Sequence, residues 1–123
     1  MDFRVAVVTL WAEDVPQAVH FYRDLVGLPL ANLHGGMPHF NLGETIFLIA
    51  QGKPQAPQNS VPDNFPLIAF SVPDFEQTIN RLRQHQIEMP EGIIHGDGAR
   101  WVLFHDPAGN LVELTEFVPG RKT

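Results

Sequence analysis

The 123-residue sequence contains no cysteine. A disulfide framework, a thiolate zinc site and a cysteine nucleophile are therefore excluded. A chain of this length buries roughly two thirds of the surface that its unfolded form exposes, so it can fold around one core without a disulfide or a structural metal. The absence of thiols does not identify a compartment, and we take the cytoplasm as the default expectation.

Long apolar runs and an excess of basic residues are also missing. No apolar segment approaches the roughly 20 residues of a membrane span. The first stretch, MDFRVAVVTLW, has one basic residue and no small-residue cleavage site, so we predict no signal peptide. The net charge is −6, from 8 Lys and Arg against 14 Asp and Glu, whereas a nucleic-acid-binding protein has an excess or a cluster of basic residues. We therefore predict a soluble protein that binds neither nucleic acid nor membrane.

The first half of the chain has the pattern of a strand, a helix and three further strands. Apolar and β-branched residues fill positions 5–11, as in a buried strand. Asp14 is a good N-cap, Pro16 suits a first helical turn, and an apolar stripe at three- and four-residue spacing ends at Gly27. Short strands are then predicted at 28–33, 38–42 and 45–50.

The second half repeats this pattern after a proline-rich stretch. Residues 51–64 hold three prolines and almost no large apolar residue, which predicts an extended linker. A strand is predicted at 67–72, and Asp74 is a second N-cap for a helix that runs to about Gln86. Further strands are predicted at 87–94, 99–105 and 110–117, with turns at GDG and DPAGN.

The two halves align with each other. The segment VTLWAEDV at 8–15 lies over IAFSVPDF at 68–75, and IFLIAQ at 46–51 lies over LVELTE at 111–116. The predicted fold class is α+β, with two βαβββ modules that form an open, barrel-like half-shell around a cavity. We assign residues 1–123 to one domain, with module 1 at about 4–51, the linker at about 52–64 and module 2 at about 65–118.

Two segments carry a family resemblance in addition to the repeat. They are AVHFYRDLVGLPL at 18–30 and FHDPAGNLVELTEF at 104–117. With the paired modules, they make the chain similar to the vicinal oxygen chelate superfamily, which contains glyoxalase I, extradiol dioxygenases, fosfomycin-resistance enzymes and bleomycin-resistance proteins. The resemblance implies the fold and, in the family's enzymes, a divalent metal held by His, Glu or Gln on the first and last strands of each module.

The corresponding positions in this chain are Val7, Leu48, Leu67 and Glu113. Three of them are aliphatic and have no lone pair to donate, and a single carboxylate holds a divalent ion weakly. The sequence therefore resembles the non-metal, bleomycin-resistance-like members, and we predict no cofactor. Whether the protein is an enzyme stays open, and the aliphatic residues at these positions favour a protein without catalytic activity.

Strand alternation selects the candidate ligand-binding residues. Odd-numbered residues of the first strand share one face, and the resemblance implies that this face lines the cavity. The lining is apolar with few polar groups, which is typical of a site for a small, mostly apolar or aromatic molecule. The predicted ligand-binding residues are Thr9, Trp11, His39, Trp101, His105 and Glu113.

Each of these residues has a second interpretation. Trp11 and Trp101 can stack on a planar ligand, or they can pack in the core or at a dimer interface. Glu113 can transfer a proton or hold a cationic ligand, or it can be a polar residue satisfied by a neighbour or by water. His39, His105 and Glu113 also allow an unusual site for Fe, Mn, Ni or Zn.

The leading hypothesis is a cytoplasmic homodimer that binds a small molecule without a standard metal site. The dimer is implied by the resemblance, and exposed sheet edges also favour pairing between copies. The alternative is an enzyme of the lyase, isomerase or dioxygenase type that uses unusual metal ligands or Glu113 as acid or base. Asp106 and Asn110 are assigned only to the turn before the last strand.

Overall fold

A computed structural model describes residues 3–31, 38–54 and 66–117, so most of the predicted linker lies outside the described residues. In module 1 the elements are β1 (Val7–Ala12), α1 (Val15–His20), a π-helical segment (Phe21–Val26), β2 (Leu30–Ala31), β3 (His39–Leu42) and β4 (Thr45–Gln51). In module 2 they are β5 (Ile68–Phe70), α2 (Phe75–Gln84), β6 (Ile94–Gly96), β7 (Ala99–His105) and β8 (Leu111–Phe117). The predicted α+β class is confirmed. Within the described ranges, no helix is long and apolar enough to cross a membrane.

The two helices begin at matching aspartates. The backbone N–H of Gln17 donates to Oδ1 of Asp14, and the backbone N–H of Gln77 donates to Oδ1 of Asp74, each at 3.0 Å. An aspartate in this position accepts from an N–H group that has no partner inside the helix. Both predicted N-caps are therefore confirmed, and the helices start at equivalent points of the repeat.

The first helix differs from the prediction after His20. A π-helical segment continues from Phe21 to Val26, and the N–H of Gly27 donates to the carbonyl of Tyr22, five residues earlier, at 3.0 Å. Gly27 then ends the segment in the left-handed conformation, with a φ of 90°. Four side chains of the π-helical segment are buried: Phe21, Tyr22, Leu25 and Val26.

The strands form two four-stranded sheets with the same topology. The first sheet has the order β1-β4-β3-β2, and the second has the order β5-β8-β7-β6. Val8 pairs with Phe47 in the first sheet, and Ile68 pairs with Val112 in the second. Val8 and Ile68 are 60 positions apart, and Phe47 and Val112 are 65 positions apart, as in the alignment of the two halves by sequence. That alignment is therefore confirmed.

The strand predicted at 87–94 is wrong except for its last residue, since β6 begins at Ile94. Pro90 has no N–H for a strand ladder. Gly92 has a φ of 63° and donates its N–H to the carbonyl of Met89 at 2.9 Å. The chain therefore turns here instead of extending.

The core lies between the two sheets and contains both helices. Tyr22, Phe40 and Phe47 of module 1 meet Phe70 of module 2, with ring centroids 4.9 Å apart for Tyr22–Phe47 and 5.2 Å apart for Phe47–Phe70. The modules thus contact each other through their helix-covered faces. The opposite side of each sheet is not covered by a helix, and we call it the free face.

Polar contacts join the modules around this core. The hydroxyl of Tyr22 donates to Oδ2 of Asp106 at 2.7 Å, and Nδ2 of Asn110 donates to the carbonyl of Trp11 at 3.0 Å. Nε of Arg81 donates to the carbonyl of Leu25 at the end of the π-helical segment, at 2.7 Å. Burial, followed by the neighbouring carboxylate of Asp106, raises the pKa of Tyr22 well above its ordinary value. These bonds join the last turn and α2 of module 2 to β1 and the π-helical segment of module 1.

Candidate functional site

Three of the predicted ligand-binding residues lie together on the free face of the first sheet. Thr9 of β1 pairs with Leu48 of β4, and His39 of β3 pairs with Leu48 from the other side. Trp11 pairs with Ala50, one step further along the same face. Paired residues have side chains on the same face of a sheet, so Thr9 and His39 flank an aliphatic centre.

The other three lie on the free face of the second sheet. Glu113 of β8 pairs with Ala69 of β5 on one side and with Leu103 of β7 on the other. Trp101 and His105 stand two residues before and after Leu103, which makes both of them diagonal neighbours of Glu113. Glu113 thus occupies the place in module 2 that Leu48 occupies in module 1.

Both tryptophans lie against a glycine. A Cβ atom placed on Gly52 would lie 2.7 Å from Cε3 of Trp11, and one placed on Gly96 would lie 2.8 Å from Cη2 of Trp101. A side chain at either glycine would force the indole ring to move, so each ring lies directly against glycine backbone. Trp11 is nevertheless half exposed. Gly52 and Gly96 therefore leave room for the two indole rings, and we call them the glycine seats of Trp11 and Trp101. The sequence pattern did not predict these contacts.

Glu113 is partly buried among apolar neighbours. Burial raises its pKa above the ordinary value, because removal of water disfavours the charged form. Thr115, the next residue on this face, donates its hydroxyl to the carbonyl of Arg100 at 3.5 Å and not to the carboxylate. Within the described ranges, Glu113 has no hydrogen bond and no ion pair.

Arg100 of β7 is held by two carboxylates and an aromatic ring. Its guanidinium donates to Glu116 at 2.7 Å and to Glu76 at 2.8 Å, and it lies 4.6 Å from the centre of the Phe75 ring. These contacts place it on the helix-covered side of the second sheet. Arg100 is therefore not part of either free face.

Two cavities of the described chain lie elsewhere. The larger one, about 470 Å³, opens between the modules beside β1 and β5 and is bordered by apolar residues that include Val8, Phe47, Ile68 and Phe70. A second cavity of about 240 Å³ lies between Asp14, Lys53 and Pro107. Neither cavity is lined by any of the predicted ligand-binding residues. Inside one chain, the two groups of predicted residues thus lie in separate sheets.

Two sheets from repeated βαβββ modules, each with an uncovered face, define a protein of the vicinal oxygen chelate class. Residues 4–114 match the Glyoxalase/Bleomycin resistance protein/Dioxygenase superfamily, and the chain belongs to this superfamily. The resemblance predicted from the two segments and the repeat is confirmed.

Named relatives include enzymes and a binding protein. The chain is 26% identical over 110 residues to the metallothiol transferase FosB of Staphylococcus haemolyticus. This alignment covers 87% of this chain and 78% of FosB. It is 25% identical to a lactoylglutathione lyase from Agrobacterium tumefaciens, with a TM-score of 0.69 over 99% and 100% of the two chains. TnmS3, an antibiotic binding protein from Streptomyces sp. CB03234, has the same fold, with a TM-score of 0.73 at 18% identity over 95% of this chain and 98% of TnmS3. One scaffold thus supports different functions.

The family's metal position does not fit a metal in this chain. Val7 and Leu48 lie on the free face of the first sheet, while Leu67 precedes β5 and Glu113 lies on β8. Aliphatic side chains donate no electron pair, so the donor set reduces to one carboxylate. In the part of the chain that the structure describes, no group of three or more His, Asp or Glu residues could hold a metal ion. His34, a further histidine of the sequence, lies outside that part.

Proposed function

We propose that this protein binds a small, mostly apolar or aromatic molecule without a standard metal site, as a cytoplasmic homodimer similar to the bleomycin-resistance-like members of its superfamily. The observation that carries the proposal is the composition of the free faces. They combine aliphatic side chains, two indole rings seated on glycines and one carboxylate. Such surfaces hold organic ligands through apolar area and a few polar contacts.

The exposure of the free faces supports the homodimer. Val7, Trp11 and Phe117 are 51%, 50% and 71% exposed, and Ile46 is also exposed on the first free face. Soluble monomers seldom leave large apolar patches uncovered. The outer edges of β1 and β5 are not paired within the described sheets, which favours association between copies. A second copy that covers a free face would also enclose the space in which a ligand lies.

Ligand binding is tested by calorimetric titration with planar aromatic compounds of cationic, neutral and anionic type. We expect saturable binding, and Trp11→Leu and Trp101→Leu should each weaken it by about tenfold, since stacking on an indole ring contributes on the order of 1 kcal/mol or more. Phe3→Leu is the matched control, because Phe3 is 94% exposed and precedes β1. Absence of binding by every cavity-sized compound would overturn the proposal.

Two further measurements address the metal and the dimer. Elemental analysis of tag-free protein purified without a chelator should find no stoichiometric Mn, Fe, Ni or Zn. A metal that is present in the native protein and lost in His39→Ala or His105→Ala contradicts the proposal.

Sedimentation equilibrium should give the mass of two chains, and Phe117→Lys should shift the protein towards the monomer by placing a charge on the covered face.

The second candidate function is an enzyme, and Glu113 is the observation that favours it. A carboxyl whose pKa is raised by burial is suited to proton transfer near neutral pH. The named relatives FosB and lactoylglutathione lyase are enzymes. Turnover of a bound compound that stops in Glu113→Gln, with binding of the compound retained, would favour this candidate over the first.

A further inference from the structure

The strands contain almost no positive charge. Among the eight strands that the structure describes there is no lysine, and Arg100 is the only arginine. Its guanidinium is held by Glu116 and Glu76 on the helix-covered side. Neither free face therefore carries a permanently cationic side chain among the described residues.

The free faces carry one carboxylate. Glu116, the other acidic residue of the strands, lies on the helix-covered side with Arg100, while Glu113 stands between Ala69 and Leu103 on the free face. Glu113 forms no hydrogen bond or ion pair with any described residue, and His105 is only a diagonal neighbour on an exposed strand end. The protein thus places a carboxylate in an apolar setting without a fixed cation.

The described strands of a second copy carry no further cation on their free faces. Both sheets have no Lys or Arg on their free faces within the described strands. An ionised carboxylate that loses water without a counter-charge is costly. A bound molecule with a protonated nitrogen would supply the cation that the described strands do not place beside Glu113.

We propose that the free face of the second sheet selects a ligand with a protonated nitrogen, which pairs with Glu113 while an aromatic or apolar body packs on Trp101. The inference rests on the proposed binding function and adds the chemical class of the ligand. Geometry supports it, because Trp101 is a diagonal neighbour of Glu113 and its ring is fixed on Gly96. An indole face also attracts cations, so both side chains favour the same class.

The test uses three probes with one aromatic body and different charge: naphthylmethylamine, which is protonated at neutral pH, naphthylmethanol and naphthoate. Affinities are measured by calorimetry for the native protein, Glu113→Gln and Glu116→Gln. The amine should bind at least about tenfold more tightly than the alcohol, since a charge pair in a partly desolvated site contributes more than a neutral contact. Glu113→Gln should reduce this preference to within about twofold.

The control variant lies on the same strand. Glu116→Gln makes the same change of charge on the opposite side of β8, so it should keep the native preference for the amine. Equal affinity for amine and alcohol, or tighter binding of naphthoate, would overturn the charge selectivity and leave the binding function standing. Failure of all three probes to bind would overturn the inference, whereas the binding function falls only if the wider set of planar aromatic compounds also fails to bind. Far-UV circular dichroism and a cooperative thermal transition of Glu113→Gln serve as the check that this variant is folded.

Discussion

The two modules pair their strands in the same register but differ at the centre of their free faces. Leu48 in module 1 and Glu113 in module 2 occupy equivalent positions, each between a residue of the parallel neighbour strand and a residue of the antiparallel one. The repeated positions, such as the aspartate caps and the buried strand residues, determine the scaffold. The positions that differ determine what the surface can bind.

The turns before β4 and β8 differ as much as the free faces. In module 1 the turn is short and exposed, and Glu44 forms an exposed ion pair with Arg4 at 3.6 Å. In module 2, Asp106 is buried and accepts bonds from the hydroxyl of Tyr22 and from Asn110. The second turn therefore holds the two modules together, while the first only reverses the chain.

The largest expected effect comes from removal of this acceptor. Asp106→Ala leaves the hydroxyl of Tyr22 and the N–H groups of Ala108 and Asn110 without an acceptor. We expect the free energy of unfolding to fall by about 3–5 kcal/mol, measured by urea denaturation. Glu44→Ala is the matched control in the other turn and should change it by less than about 0.5 kcal/mol. Similar losses in the two variants would contradict the difference between the turns.

Tyr22→Phe isolates one bond of the same connection. The variant keeps the ring among its aromatic neighbours and removes only the hydroxyl that donates to Asp106 at 2.7 Å. A hydrogen bond to a charged group contributes about 1.5–3 kcal/mol, so we expect a loss in that range by urea denaturation. A double-mutant cycle with Asp106→Ala should show strong coupling, and additive effects would mean that the bond does not join the modules.

The helix caps should behave alike in the two modules. Asp14→Ala and Asp74→Ala each remove one bond to a backbone N–H in the first turn of a helix, and each should cost about 1 kcal/mol of unfolding free energy. Glu88→Ala removes a carboxylate from an exposed position outside the helices and should have little effect. A much larger loss for one cap would mean that its helix depends on the cap more than the repeat suggests.

Local patterns predicted the scaffold well. Alternation in VVTLWA and LVELTEF placed Thr9, Trp11 and Glu113 on the free faces, and the register of the sheets agrees. Asp14 and Asp74 were recognisable as caps because an N-cap needs only the residues that follow it. These features depend on side-chain spacing and backbone bonding over a few residues, which a single sequence contains.

Features that depend on distant residues were not predicted. The bond between Tyr22 and Asp106 joins residues that are 84 positions apart, and Asp106 was assigned only to its turn. The glycine seats of the two tryptophans depend on strand neighbours that only the folded sheets bring together. The predicted binding residues also lie on two separate sheets, so their meeting in one cavity remains a proposal tied to the dimer.

The smallest effect concerns the position at which the two free faces differ. Burial raises the pKa of Glu113, so the folded protein binds this proton more tightly than the unfolded chain. The folded state therefore loses stability as the pH rises through the unfolded and then the folded pKa, and the loss is complete above both. Leu48, at the equivalent place in module 1, has no such cost.

Glu113→Gln should consequently unfold at a slightly higher temperature than the native protein at neutral pH, with a gain below about 1 kcal/mol, because the site is only partly buried. The gain should disappear as the pH falls below the ordinary range for glutamate, about 4.3. Glu116→Gln, which removes a carboxylate bonded to Arg100 at 2.7 Å, should show no gain at neutral pH. Thermal unfolding followed across pH makes the measurement. If Glu113→Gln is instead destabilised and the loss grows with pH, the carboxylate has a stabilising partner in the folded protein, and its role as an unpaired ligand contact is wrong.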